Sequence, residues 1–210
     1  MKKVSCLIWV GTRNDPSYVL ALLLALKRQT YPAWSAIVQT DGYRADVAEM
    51  LRDCAAYLPT EKISVHPTAT IDGVWGYGCK TEGIALCTGD YICFQNDDNL
   101  VVPGFFAQLV SGIESGYDLV LCDIVHHYND WTVLQTEPVF GKVDLCSWLA
   151  KAALVKTTPW PGNYREADGH FVERMAATGA KVGCVRRPLL IHNAIWWIAS
   201  LLVGGSCLFC

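Results

Sequence analysis

The chain alternates short runs of unbroken apolar residues with stretches whose apolar positions recur every three or four residues. Val4–Val10 is apolar almost throughout and reads as a buried strand. Asp15 and Pro16 follow as N-cap and first helical position. The carboxylate meets amides that lack partners there, and proline loses nothing. That helix runs to about Arg28. Ala36–Gln39 is a second strand, Arg44–Tyr57 a helix closed by Pro59, and Ile63–His66 a third strand. Lys80–Cys87 is helical up to Gly89, and Tyr91–Gln95 is a fourth strand. Pro103–Glu114 is a helix ended by Gly116, and Leu119–Asp123 a fifth strand. Asp168–Thr178 is a helix ended by Gly179, and Val182–Arg186 a last strand.

Strands that are apolar along their length and spaced by helices predict an α/β domain. Its central sheet is Rossmann-like, mostly parallel, and flanked by helices on both faces. Ligands of such sheets lie outside the carboxyl ends of the strands. The residues to weigh are therefore Thr12-Arg13-Asn14, Thr40-Asp41-Gly42, Asn96-Asp97-Asp98-Asn99 and His126-His127.

Composition narrows this picture. The 210 residues fit one domain, or one domain with a short appendage, and are enough to bury a core without disulfides. Seventeen Lys and Arg against twenty Asp and Glu leave no basic excess to neutralise a nucleic-acid backbone. Of ten cysteines, eight are scattered singly, several in apolar runs, where free Cys acts as a small hydrophobe. This usage fits a reducing, cytoplasmic compartment. The Cys207–Cys210 pair lacks the second pair or histidines of a zinc site. The charge-free stretch after Lys2-Lys3 is short and lacks a small-residue cleavage site, so it reads as a strand rather than an export signal.

The C-terminus differs. Pro188–Cys210 contains no Asp, Glu, Lys or Arg, and Ala194–Cys210 is seventeen residues long, at the short edge of a bilayer span. We divide the chain into a domain over residues 1–193 and an apolar tail over 194–210. The tail serves in core packing, in a homo-oligomer interface, or in peripheral membrane contact.

Asn96-Asp97-Asp98-Asn99 places adjacent carboxylates at a strand end. Such a pair is either a solvated turn or a cation site, and Mg²⁺ or Mn²⁺ takes one or two carboxylates with substrate phosphates. Asp41 before Gly42 is either a plain turn or an acceptor for a base or ribose. The glycine-rich Asp72–Gly78 loop lacks the spacing and the Lys-Ser/Thr of a P-loop.

Four segments in series resemble family 2 glycosyltransferases with the GT-A fold. They are Val4–Ile8 with Thr12-Arg13-Asn14, Gln29-Thr30-Tyr31-Pro32 with Trp34, Ile37–Gly42, and Gly89–Ile92 leading into Asn96-Asp97-Asp98-Asn99. Ala167-Asp168, opening a helix, is similar to that family's Glu-Asp catalytic segment. The resemblance covers roughly residues 3–193. It implies a nucleotide-diphosphate sugar donor, a UDP-sugar favoured, and transfer with inversion to a hydroxyl on a saccharide or lipid-linked acceptor, assisted by Mn²⁺ or Mg²⁺. It assigns Asp168 as general base, Asp41 to the base, and Thr12, Arg13 and Asn14 to the loop lining it. Lys80 meets the diphosphate or is a solvated charge; Asp97 faces ribose or sugar; Asp98 binds the metal. His192 joins the metal or is a core histidine. His126, His127 and Tyr128 are candidates for the acceptor side, with at most one of the adjacent histidines facing the cleft, and Trp148 and Trp160 are either sugar-stacking platforms or packing. Two departures stand out: Asn96 replaces the first acid of the metal motif, and Ala167 the usual glutamate, with Glu166 one residue earlier. They keep in view a non-catalytic nucleotide-sugar-binding or interaction module, while the α/β sheet, the metal chemistry and Gly11-Thr12-Arg13, a thin version of a glycine-rich, Arg-containing loop, keep in view a nucleotidyltransferase.

Overall fold

The computed structural model describes residues 1–12, 14–69, 76–126, 128, 130–162, 164 and 166–195. The sheet is built from β1 (Val4–Val10), β2 (Trp34–Thr40), β3 (Ile63–Pro67), β4 (Tyr91–Asn96), β5 (Leu100–Val101), β6 (Leu119–His126), β7 (Thr132–Leu134), β8 (Trp148–Lys151) and β9 (Val182–Ile191). The helices are α1 (Pro16–Lys27), α2 (Ala45–Asp53), α3 (Tyr77–Leu86), α4 (Phe105–Glu114), α5 (Ala152–Thr157) and α6 (Ala167–Ala177).

The strand order is β3-β2-β1-β4-β8-β6-β9-β5, with β7 hairpinned onto β6. β3, β2, β1 and β4 run parallel, and so do β6 and β9. β8 lies antiparallel between β4 and β6, so the two parallel blocks share one direction. The mixed sheet with covering helices is the expected GT-A architecture. β5, β7, β8 and α5 are additions to the sequence reading. Each is too short, two to six residues, to show a period. β9 runs past Arg186 to Ile191 because its register against β6 shifts at Cys122–Ile124. The bulge lets Arg186 donate to the buried Asp123 carboxylate at 3.0 Å.

β1 is buried on both faces except for partial exposure at Trp9, as a central parallel strand requires. α3 packs on β1 and β2 so tightly that a Cβ at Gly83 would sit 2.2 Å from Gln39 Oε1 and 2.5 Å from Leu7 Cδ1. α1 is capped as expected: the Asp15 carboxylate accepts from Ser17 N–H at 2.8 Å. The Gln29–Pro32 motif is scaffold. Gln29 donates to Val102 O at 2.8 Å and accepts from Phe106 N–H at 3.0 Å, tying the end of α1 to the start of α4. Tyr31 hydroxyl donates to Lys2 O.

A second core joins α6 to the sheet. Phe171, one turn beyond Asp168, packs against Phe94, Trp148 and Trp160 with ring centroids 6.4, 6.3 and 4.7 Å away. Trp148 is fully buried there, so of its two readings, packing and sugar platform, the fold gives packing. The cysteines described with side chains are free, and Cys6, Cys93, Cys122 and Cys146 are wholly buried. Among the described residues no helix is long and apolar enough to cross a membrane. Residues 196–210 of the apolar tail lie outside the described residues, as do Arg13, His127 and most of the Asp72–Gly78 loop.

Candidate functional site

The carboxyl ends of β1, β4, β6 and β9 surround a cavity of about 560 Å³. Asn14, Lys80, Asp97, Asp98, Asp168 and His192 all line it, with Trp9, Asn96, His126, Tyr128, Phe140, Asp144, Glu166 and Asn193. Asp97 and Asp98, adjacent in the chain, thus share one hollow with Lys80 and with Asp168, seventy residues beyond Asp98. Thr12 and Asp41 are not among the lining residues: Thr12 is exposed and Asp41 is buried at the end of β2. Glu166 lines the cavity while Ala167 is buried.

The wall beneath Asp97 is locked by backbone acceptors. Arg44, at the N-cap of α2, donates to Gly11 O and, at 2.7 Å, to Asn14 O. Its remaining donors engage Asp46 at 2.8 and 2.6 Å. Asn14 Nδ2 in turn donates to both Asp97 oxygens at 2.8 and 3.0 Å. The loop that carries the acids is fixed from the other side as well. Ile195 N–H donates to Asp98 O at 3.0 Å, and Asn193 N–H to Asn99 Oδ1 at 2.9 Å. Asn193 sits in the left-handed region (φ 54°), which asparagine tolerates.

Burial is the main force on these carboxyls. It pushes Asp97 up to about 8, helped by the Asp98 charge and opposed by Asn14 and Arg44. Burial also raises Asp98, against the pull of the His192 charge. Asp98 Oδ1 is buried without a hydrogen-bond partner. An orphaned carboxylate oxygen among other acids is what a divalent cation would satisfy. Asp168 is raised by burial and by Asp144, and its Oδ1 accepts from Gly169 N–H at 2.8 Å in the first turn of α6.

His192 and Asp144 form a pair at 3.2 Å. Burial acts against both charges, but their attraction outweighs it, raising His192 and holding Asp144 well below the usual carboxylate range. Cys146 N–H adds a 2.8 Å bond to Asp144. His126 stacks on His192 with centroids 4.3 Å apart and planes 10° apart, and burial and the His192 charge lower its basicity. Donor atoms of His126, Asp144 and His192 lie within 4.8 Å of one another. Parallel rings cannot both aim an in-plane lone pair at one ion, so this trio fits a metal only after one ring turns. His192 with Asp98 needs no such turn of His126.

Lys80 is buried, its Nζ 5.2 Å from the Trp9 ring and 5.9 Å from the Trp160 ring. It is an interior cation of the cavity and not a solvated helix charge. Sequence reasoning did not find Trp9, Arg44, Phe140 or Asp144. Trp9 reads only as part of an apolar strand, and Arg44 as a helix start. Asp144 and Phe140 come from a segment without periodicity.

The sequence model described as Glycosyl transferase family 2 matches residues 8–168, more than half of the chain. No curated protein matches by sequence. Among solved structures, the mannosyltransferase PcManGT from Pyrobaculum calidifontis, in complex with GDP-Man and Mn²⁺, is 15% identical with a TM-score of 0.74, over 91% of this chain and 57% of that one. TarS 1–349 from S. aureus is 15% identical with a TM-score of 0.72, over 90% of this chain and 60% of that one. Its complex with UDP-GlcNAc gives 16% and 0.71, over 90% and 58%. This chain thus spans 60% or less of these neighbours' length, and the likeness establishes the shared fold. From the match over residues 8–168 and a mixed sheet with the expected acids at its ligand edge, the chain belongs to glycosyl transferase family 2.

Proposed function

We propose that this protein transfers a sugar from a nucleoside diphosphate donor, a UDP-sugar favoured, to a hydroxyl acceptor with inversion. The observation that carries the reading is the convergence of Asp97, Asp98, Asp168, His192 and Lys80 on one cavity. The neighbours solved with UDP-GlcNAc and GDP-Man support a nucleotide-sugar donor. The family resemblance assigns Thr12, Arg13 and Asp41 to the nucleotide end. Lys80 meets the diphosphate, and its aromatic surroundings keep that charge pair away from bulk water, where it would be weaker. Asp97, held by Asn14, orients ribose or sugar hydroxyls.

Asp98 and His192 would hold the divalent cation, Mn²⁺ or Mg²⁺. When bound, such an ion offsets the charge of the departing diphosphate. Asp168 takes the acceptor hydroxyl proton at its carboxylate. The acceptor oxygen forms its bond to the anomeric carbon on one face while the bond to the diphosphate oxygen breaks on the other, which inverts that carbon. Burial raises Asp168, and a stronger base takes the proton more readily.

Thermal shift with UDP-GlcNAc and GDP-Man, each with MnCl₂, selects the donor, since a ligand bound only by the native state raises apparent stability. With that donor, Asp168→Asn is expected to lower transfer by ~10²–10⁴-fold while leaving UDP affinity nearly unchanged. Full transfer by Asp168→Asn, or transfer undiminished by excess chelator, overturns the base or the metal assignment respectively.

A further inference from the structure

A second hollow of about 350 Å³ opens beside the main cavity and shares His126, Tyr128, Phe140 and Asp168 with it. Its other walls are Leu134, Gly141, Val143 and Gly169. The lining thus combines apolar and aromatic side chains with an imidazole and a carboxylate. Its size falls at the lower end of small-ligand clefts, about 300–1,000 Å³.

Phe140 is held in place although 46% exposed. Its ring stacks on His170 with centroids 4.9 Å apart and planes 16° apart. Its N–H donates to Glu173 Oε1 at 2.7 Å, and the other Glu173 oxygen lies 2.7 Å from His170 Nδ1. The ring approaches α6 so closely that a Cβ at Gly169 would lie 3.0 Å from Phe140 Cδ2. An exposed phenyl group fixed from behind by α6, beside Asp168, is a presented surface and not a loose side chain. A ligand suited to it has an apolar face and hydroxyls around its rim. A pyranose ring has both, whereas an alkyl chain has no use for the imidazole and carboxylate, and an open-chain polyol has no flat face.

We propose that this hollow binds the acceptor as a pyranoside, stacked on Phe140 with one hydroxyl turned to Asp168, so that Phe140 determines acceptor specificity. The placement rests on Asp168 being the base proposed above. The test is saturation-transfer-difference NMR on the purified chain, using methyl β-D-glucopyranoside, methyl β-D-galactopyranoside and methyl α-D-mannopyranoside, with sorbitol as the open-chain probe. At least one pyranoside is expected to receive saturation on the C–H protons of one ring face, and sorbitol is not. Phe140→Ala should weaken that pyranoside about three- to tenfold, a loss larger than any in UDP affinity, and Phe140→Trp should restore it. Equal binding of sorbitol, no pyranoside binding, or a pyranoside indifferent to Phe140→Ala overturns the proposal. Failure of UDP to bind counts against the donor reading alone, because the pyranoside measurements judge Phe140 without it.

Discussion

The two walls of the cavity are made differently. The wall formed by β1 and β4 presents Asn14, Asp97 and Asp98 within a few residues of buried parallel strands. Arg44 and Asn14 brace it through backbone and carboxylate hydrogen bonds. The opposite wall draws Tyr128, Phe140 and Asp144 from the long connection between β6 and β8, in which β7 is the one strand among the described residues. There the fixing contacts come from α6 and β9, distant in sequence. The first wall is built by strand ends, and the second by side chains borrowed from elsewhere. The first wall therefore depends on how the β1 and β4 loops meet through Arg44 and Asn14, and the second on how α6 and the end of β9 are docked.

The hardest blow to the second wall is at its anchor. Phe171→Ala should cost about 3–5 kcal/mol in urea unfolding, because it opens a hole among Phe94, Trp148 and Trp160. Phe140→Ala, at the solvent end of the same helix contacts, should cost less than about 1 kcal/mol. Similar losses at the two positions would mean that the wall folds as one unit.

The first wall breaks at Arg44. Arg44→Gln is expected to cost about 2–3 kcal/mol, because the Gly11 and Asn14 carbonyls lose a charged donor. It should also weaken Mn²⁺ binding, measured by electron paramagnetic resonance, through the Asn14–Asp97 contact. A stability loss with unchanged Mn²⁺ affinity would separate the loop from the acids.

Between pH 5 and 8 the metal-free protein should lose stability as pH rises. An unfolded Asp titrates near ~3.9, whereas native Asp97 holds its proton up to about 8, so the native state binds more protons through this window. His192, raised by Asp144, acts in the same direction: its contribution is complete below the unfolded histidine value of ~6.5 and fades as pH passes its native value. The slope is at most about 1.4 kcal/mol per pH unit for each group. Added Mn²⁺ should stabilise more at pH 8 than at pH 6, since it competes with those protons. Melting temperatures across pH with and without MnCl₂ check both signs.

The smallest effect belongs to the exposed partner of the brace. Asp46→Asn should change stability by less than about 1 kcal/mol, since Asp46 is half exposed and its attraction to Arg44 is screened by water. A larger loss would show that Asp46, and not the loop carbonyls, holds Arg44 in place.

Much of the fold was legible along the chain. Mostly apolar runs at Val4–Val10 and Tyr91–Gln95, too short for helices between their turn signals, read as strands covered on both faces, and the Asp15-Pro16 start gave α1 its first turn. These signals are local, set by burial every residue or every turn. So the sequence alone determined the parallel block, the ligand edge and the acids Asp97, Asp98 and Asp168 as candidates. Tertiary structure alone decided that β8 lies antiparallel between β4 and β6, that Trp148 is core, and that Asp41 and Thr12 stand back from the cavity lining. It alone brought Asp144 under His192 and Phe140 against Gly169. A lone Asp or Phe in an aperiodic segment carries no period and no neighbour to announce it. Its partner is chosen by the path of a strand or helix tens of residues away, which only the closed fold specifies.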